Sequence, residues 1–153
     1  MSTPDWRGII CHHSADRDGL VMDLDRIRKF HTDPPPAGRG WQDIGYHAVV
    51  EKVGPAYVAL PGRPLWLEGA HCPAQGQNKI SLGICFVGNF EIDEMDWGQL
   101  VAGADLIAEW CIRFDISTRR ITAHRDWKAT ACPGKNFPMS DLLAAVERTL
   151  AHG

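Results

Sequence analysis

The stretch RGIICHH, Arg7 to His13, is a short apolar run with a polar end. Adjacent isoleucines in so short a run favour a buried β-strand. The strand would end in Cys11, His12 and His13, three side chains that can each bind a metal ion. Because side chains alternate along a strand, Cys11 and His13 face one way and His12 the other, so the three cannot jointly hold one ion. Alternation alone does not decide which face carries a metal.

Four further strands follow from composition. Two β-rich runs flank the Gly-Pro turn at residues 53–55 and predict an antiparallel hairpin. The run at 80–88 is almost continuously apolar, which is typical of a strand buried on both faces. A short strand at 119–124 then breaks into a loop rich in turn residues.

Helical periodicity marks the remaining regular segments. Asp23 is placed to cap a first helix, residues 95–114 form the longest helix, and Ser140 is placed to cap the last one. The apolar residues of the first helix are Leu24, Ile27 and Phe30. Strands interspersed with helices predict an α/β fold with a mixed central β-sheet and helices packed on its faces.

Length and composition indicate one soluble globular domain covering residues 1–153. The chain is 44% hydrophobic and 23% charged, which is ordinary for such a domain. Its net charge of −3 argues against a nucleic-acid partner, since a binder of nucleic acid normally carries an excess of clustered Lys and Arg. A monomer is expected.

Targeting and redox signals point to a protein made in the cytoplasm. No apolar run reaches the roughly 18–20 residues of a membrane span, and the start MSTPDWRGII lacks the features of a secretory signal. The cysteines are odd in number and widely spaced, a poor disulfide framework. Cys85 and Cys111 lie in apolar segments and are predicted to be small core residues.

Metal-capable side chains fall at strand ends, where α/β sheets usually assemble ligand sites. His12 or His13, together with His124 and Cys132, would give Zn²⁺ three protein ligands and leave a fourth position for water, as in a catalytic site. Such a site implies hydrolysis. The residues alone also allow other interpretations: hydrogen-bonded buried histidines, a cysteine at a turn, or a Cys132 nucleophile activated by His124.

Six motifs occur in an order that resembles one family. They are IICHHSA, RGWQDIGYHAVV, GAHCPAQGQN, SLGICFVGNF, ITAHRDW and TACPG. Together they are similar to the zinc-dependent N-acetylmuramoyl-L-alanine amidases, the type shared by bacteriophage T7 lysozyme and the peptidoglycan recognition proteins. The resemblance spans about residues 9–138 and implies the fold of that family.

The resemblance implies a role for particular residues. The metal ligands of one Zn²⁺ ion would be His12, His124 and Cys132, with water as the fourth ligand. Tyr46 would lie beside the zinc, where its hydroxyl orients the water or stabilises the developing oxyanion. Thr130 stands where the T7-like branch has lysine, and its neutral hydroxyl can donate a hydrogen bond but no charge.

The general base is not assigned by the resemblance. The branch that cleaves anhydromuropeptides carries a glutamate in the strand that here reads SLGICFVG, where this chain has Cys85 or Val87. Hydroxide on the zinc, helped by Tyr46, is the working hypothesis for the base. Lys128 lies out of register with the T7-like lysine and is interpreted as a solvated side chain.

Binding residues are also implied. His71 and Asn78 match positions that line the substrate cleft, and Arg39 and Trp41 would border it, with Trp41 as a third substrate-binding residue. His47 follows Tyr46 and, by strand alternation, faces away from the site.

The implied activity is hydrolysis of the amide between N-acetylmuramic acid and L-alanine in peptidoglycan. The implied context is a phage or prophage endolysin that reaches the wall after release by a holin, without a membrane partner. The alternative is a peptidoglycan-binding or regulatory module that does not hydrolyse. Members that only bind have typically lost the cysteine ligand, and Cys132 is present.

Overall fold

A computed structural model describes residues 3–15 and 23–152. Its centre is a five-stranded mixed sheet in the order β3-β2-β4-β1-β5. The strands are β1 Gly8–His13, β2 Ala48–Val53, β3 Ala56–Pro61, β4 Ser81–Phe86 and β5 Ile121–Ala123. The helices are α1 Leu24–Thr32, α2 Trp97–Phe114 and α3 Met139–His152.

Strand β1 occupies an inner position, as its apolar sequence predicts. It pairs in parallel with β4 on one side and with β5 on the other, so the carboxyl ends of all three strands lie at one edge of the sheet. Both β1 and β4 are buried along their whole length, because helices cover both faces of the sheet. The predicted hairpin is confirmed: β2 and β3 pair antiparallel, and β2 joins the sheet in parallel with β4.

Two apolar clusters hold the layers together. The larger lies between the sheet and helices α2 and α3, and includes Ile9, Cys11 and Phe86. The smaller lies on the opposite face, where Leu24 and Ile27 of α1 pack with Val49 and other sheet residues. The predicted α/β architecture with helices on both faces is therefore confirmed.

The N-terminal end of α1 agrees with the sequence, but its buried face does not fully agree. Asp23 caps the helix by accepting a hydrogen bond of 2.8 Å from the backbone N–H of Arg26. Phe30, one of the three apolar residues at helical spacing, is 48% exposed, and His31 is buried in its place. The buried face therefore runs from Ile27 to the residue four positions later rather than three.

The start of α3 also differs from the predicted start. Ser140 lies inside the helix, which begins at Met139. The carbonyl of Pro138 accepts the N–H of Leu142 at 2.9 Å, so the helical hydrogen bonds begin before Ser140 and its cap role was predicted wrongly.

Two observations bear on the predicted state of the cysteines and on the expectation about a membrane span. All five cysteines are free thiols, and Cys85 and Cys111 are buried as predicted. Of the helices in the described ranges, none combines the length and apolar character that a transmembrane span requires.

Candidate active site

The three predicted metal ligands meet at the carboxyl edge of the sheet. His12 lies near the end of β1, His124 directly follows β5, and Cys132 lies in the loop beyond. The Nδ1 atom of His12 is 3.8 Å from the Sγ atom of Cys132, and the two histidine rings are 4.5 Å apart between centroids. The candidate ligand atoms of the three residues all lie within 4.8 Å of one another. Parallel pairing of β1 with β5 brings together side chains that are far apart in sequence.

The burial and hydrogen bonding of His124 bear on metal binding. Both of its ring nitrogens are buried, and neither has a hydrogen-bond partner. Buried polar atoms are rarely left without one, because they lose the hydrogen bonds that water would give. Two imidazoles and one thiolate are a donor set that suits Zn²⁺. The residues present therefore fit a zinc ion.

Protonation states agree with metal binding. Burial is the main cause that lowers the pKa of His12 and of His124, so both imidazoles are neutral at pH 7 and keep a lone pair for a metal. Burial also raises the pKa of Cys132 to about 11. A Cys132 nucleophile would need a lowered pKa and a protonated partner, so this environment does not favour the cysteine-hydrolase alternative. A bound cation would stabilise the thiolate.

A cleft of about 750 Å³ opens over the three ligands. Its walls include the residues predicted to bind substrate or to assist catalysis. Those residues are Trp41, Tyr46, His71, Asn78 and Thr130. The structure thus brings every predicted site residue to one cleft, while their individual roles stay predictions.

Tyr46 lies next to the candidate metal ligands. Its ring centroid is 5.0 Å from that of His12. Burial raises the pKa of its hydroxyl well above the usual value, so the group is a neutral hydrogen-bond donor. The hydroxyl interacts with the thiol of Cys85.

Thr130 and Lys128 lie on the loop that carries Cys132. The Thr130 hydroxyl accepts a hydrogen bond of 3.3 Å from the backbone N–H of Cys132, which helps to fix the ligand-bearing turn. Lys128 is exposed, as a solvated lysine should be, yet it lines the cleft and its charge helps to lower the pKa of His124. Its position out of register therefore does not remove it from the site.

His71 and Asn78 are engaged with the protein itself. The ring nitrogens of His71 lie 2.9 Å from Nε2 of His12 and 3.0 Å from the carbonyl oxygen of Ser81. Asn78 accepts the backbone N–H groups of His71 and Cys72 through its Oδ1 atom, at 2.9 and 2.8 Å. Both residues line the cleft, but these contacts give them a structural task besides any contact with substrate.

The two histidines next to predicted site residues have partners elsewhere. His13 accepts the backbone N–H of Phe90 through Nδ1 at 3.1 Å. His47 lies against Trp6, with ring centroids 4.9 Å apart, and accepts the N–H of Gly83. Neither belongs to the group of ligand atoms that meet, which agrees with the choice of His12 and the exclusion of His47.

Two groups of the cleft wall were not predicted from the sequence. His31 accepts the N–H of Gly45, and its ring lies 4.7 Å from that of Trp41 and 5.6 Å from that of Tyr46. Its spacing of four from Ile27 on α1 was the signal that could have placed it inside. Glu91, from the loop after β4, is the one carboxylate that lines the cleft among the residues described. No motif marked it.

Comparison with known families agrees with this geometry. Residues 2–135 match the family described as N-acetylmuramoyl-L-alanine amidase. The chain belongs to this amidase family. The match covers the strands of the sheet and all the site residues described above.

The proteins similar to this chain include both recognition proteins and amidases. Peptidoglycan-recognition protein SC2 of Drosophila melanogaster is 31% identical over 134 residues, which are 84% of this chain and 68% of the relative. The N-acetylmuramoyl-L-alanine amidase LysC from Clostridium intestinale URNW superposes with a TM-score of 0.78 at 29% identity, over 94% of this chain and 87% of that one. Amidases and recognition proteins thus share this fold.

One similar structure contains a peptidoglycan fragment. Peptidoglycan recognition protein-LE, solved in complex with tracheal cytotoxin, a monomeric diaminopimelic acid-type peptidoglycan, superposes with a TM-score of 0.72 at 26% identity. The alignment covers 92% of this chain and 81% of that one. The fold is therefore one that binds muropeptides in at least one relative.

Proposed function

We propose that this chain is a zinc-dependent amidase that hydrolyses the bond between N-acetylmuramic acid and L-alanine in bacterial peptidoglycan. The observation that carries the proposal is the convergence of His12, His124 and Cys132, with both ring nitrogens of His124 buried and unpartnered. Membership of the amidase family and the cleft over these atoms support it.

Each residue has a task in this reaction. His12, His124 and Cys132 would hold Zn²⁺, which when bound polarises a carbonyl and makes a water molecule more acidic. Hydrolysis forms a C–O bond at the lactyl carbonyl carbon and breaks the C–N bond, and the amine of L-alanine leaves with a proton. The neutral hydroxyl of Tyr46 can donate to the oxygen that gains negative charge.

The loop beyond β5 and the remaining walls would position the substrate. Thr130 is a second hydroxyl in the cleft, and its contact with Cys132 couples substrate position to the ligand loop. Trp41, half-buried beside His31, offers an aromatic surface to the sugar or peptide. His71 and Asn78 shape the wall behind the ligands.

The biological setting belongs to the same proposal. We place the enzyme at the cell wall as an endolysin of a phage or prophage that acts as a monomer, with residues 1–153 forming the catalytic domain. Similarity to the clostridial endolysin amidase LysCS supports this setting. Purified protein added to cell walls should then lower their turbidity.

The decisive experiment measures new amine ends released from purified peptidoglycan. Zinc-loaded protein should release muropeptides with a free L-alanine amine, chelation should abolish the release, and added Zn²⁺ should restore it. His124→Ala should be inactive, whereas His152→Ala, an exposed histidine at the end of α3, is the matched control that keeps activity. Activity that survives complete zinc removal would refute the metal mechanism, and binding of muropeptides without new amine ends would favour the non-hydrolytic alternative.

A further inference from the structure

A line of three buried groups runs from the candidate metal centre into the sheet. The Nε2 atom of His12 lies 2.9 Å from Nδ1 of His71, and Nε2 of His71 lies 3.0 Å from the carbonyl oxygen of Ser81. His12, His71 and Ser81 are each less than a tenth exposed. Hydrogen bonds of this length in a buried site need a definite donor and a definite acceptor at each step.

The hydrogen positions in this line follow from its backbone end. A carbonyl oxygen can only accept, so Nε2 of His71 must carry a hydrogen. In an imidazole with one hydrogen, Nδ1 of His71 is then an acceptor, and Nε2 of His12 must be the donor. The Nδ1 atom of His12 is left without a hydrogen. This is the atom that lies 3.8 Å from the Sγ atom of Cys132.

We propose that His71 is a positioning residue that fixes the tautomer and ring orientation of His12, so that Nδ1 of His12 is the metal-binding atom. Outer partners of metal-binding histidines commonly act in this way. The inference rests on the proposed metal centre, but it concerns hydrogen positions that exist without metal. This positioning role differs from the contact with substrate that the family resemblance implied for His71.

Packing around His71 supports a fixed orientation. A Cβ atom added to Gly69 or to Gly83 would lie 2.5 Å from Cδ2 of His71, so both glycines leave the room that the ring occupies. The backbone N–H of His71 is also held by Oδ1 of Asn78 at 2.9 Å. The ring of His71 is therefore confined on several sides. Its hydrogen bond to the Ser81 carbonyl fixes the orientation of the ring, and this in turn orients the ring of His12.

The first test needs no variant. Two-bond ¹⁵N–¹H NMR correlations on metal-free, ¹⁵N-labelled protein report which ring nitrogen of each histidine carries hydrogen. The spectrum should show His12 with hydrogen on Nε2 and none on Nδ1. A His12 ring with hydrogen on Nδ1 would overturn the proposal, whether or not the protein hydrolyses peptidoglycan.

Variants test whether His71 causes this tautomer. His71→Ala removes the acceptor, so hydrogen should appear on Nδ1 of His12 and zinc affinity, measured by chelator competition, should fall roughly 10–100-fold. His71→Asn offers an amide oxygen near the place of Nδ1 and should recover most of that affinity. His152→Ala is the control with unchanged tautomer and affinity.

The outcomes separate this inference from the proposed function. A folded His71→Ala protein with the wild-type tautomer and with affinity within about twofold of wild type would refute the positioning role, while the amidase proposal could still stand. A wild-type protein that binds no zinc would refute the amidase mechanism, while the NMR result would still decide the tautomer.

Discussion

Acid should destabilise this protein in part through one buried histidine away from the cleft, His47. The side chain is 2% exposed, accepts the N–H of Gly83 through Nδ1, and lies with Nε2 3.0 Å from the carbonyl oxygen of Leu67. Burial is the main cause that lowers its pKa from 6.5 to about 4, and the positive charge of Arg63 adds to the effect. Two changes test the contribution of His47 to stability: a fall in pH and the substitution His47→Gln.

The sign and size of the effect follow from linkage. Between pH 6.5 and about 4 the unfolded chain binds a proton at His47 and the folded chain does not, so acid favours unfolding. The stability is complete above pH 6.5 and declines as pH falls towards the folded pKa. At about 1.4 kcal/mol per pH unit, His47 alone costs about 2 kcal/mol of unfolding free energy at pH 5.

Urea unfolding followed by circular dichroism measures this difference. Metal-free wild type and His47→Gln are compared at pH 7.5 and at pH 5, so that contributions of the other histidines largely cancel. The variant should start less stable, because it loses well-formed hydrogen bonds, but should lose about 2 kcal/mol less on acidification. Equal losses in the two proteins would refute the assigned cause.

Three further predictions concern the site and the core. Cys132→Ser should lose stoichiometric zinc and amidase activity with an unchanged circular dichroism spectrum, since a hydroxyl is a poorer zinc ligand than a thiolate; metal analysis checks this. Tyr46→Phe should keep zinc but lower kcat by roughly 10²-fold, measured with muropeptides, if its hydroxyl stabilises the oxyanion. Gly103→Ala would place a Cβ atom against the Phe86 ring, and overpacking of about 1–3 kcal/mol should outweigh a helix-propensity gain of up to about 1 kcal/mol in urea unfolding.

Local sequence determined the helices and strands and the types of metal-binding side chain at the strand ends. The apolar run before His12 predicts an inner strand, and the Gly-Pro turn predicts the β2–β3 hairpin; both are present. Asp23 caps α1 as its side chain and position suggest. These features depend on interactions within a few residues, so a single stretch of sequence carries enough information to predict them.

Neighbours in space decided the details that the periodic patterns left open. Helical spacing allowed either Phe30 or His31 to complete the buried face of α1, and contacts with Trp41 and Tyr46 select His31. The observed start of α3 lies before Ser140, because the carbonyl of Pro138 already accepts a helical hydrogen bond.

The end of β1 shows most clearly which features the sequence determined and which the tertiary structure decided. Alternation places His12 opposite Cys11 and His13, but it does not say which face meets the core. Packing of Cys11 in the larger apolar cluster and the bond from Phe90 to His13 leave His12 facing His124 and Cys132. Its hydrogen-bond partner His71 lies 59 residues away in sequence. The sequence determined which side chains can bind a metal, whereas tertiary packing decided which of them meet, because that choice depends on long-range burial and hydrogen bonds.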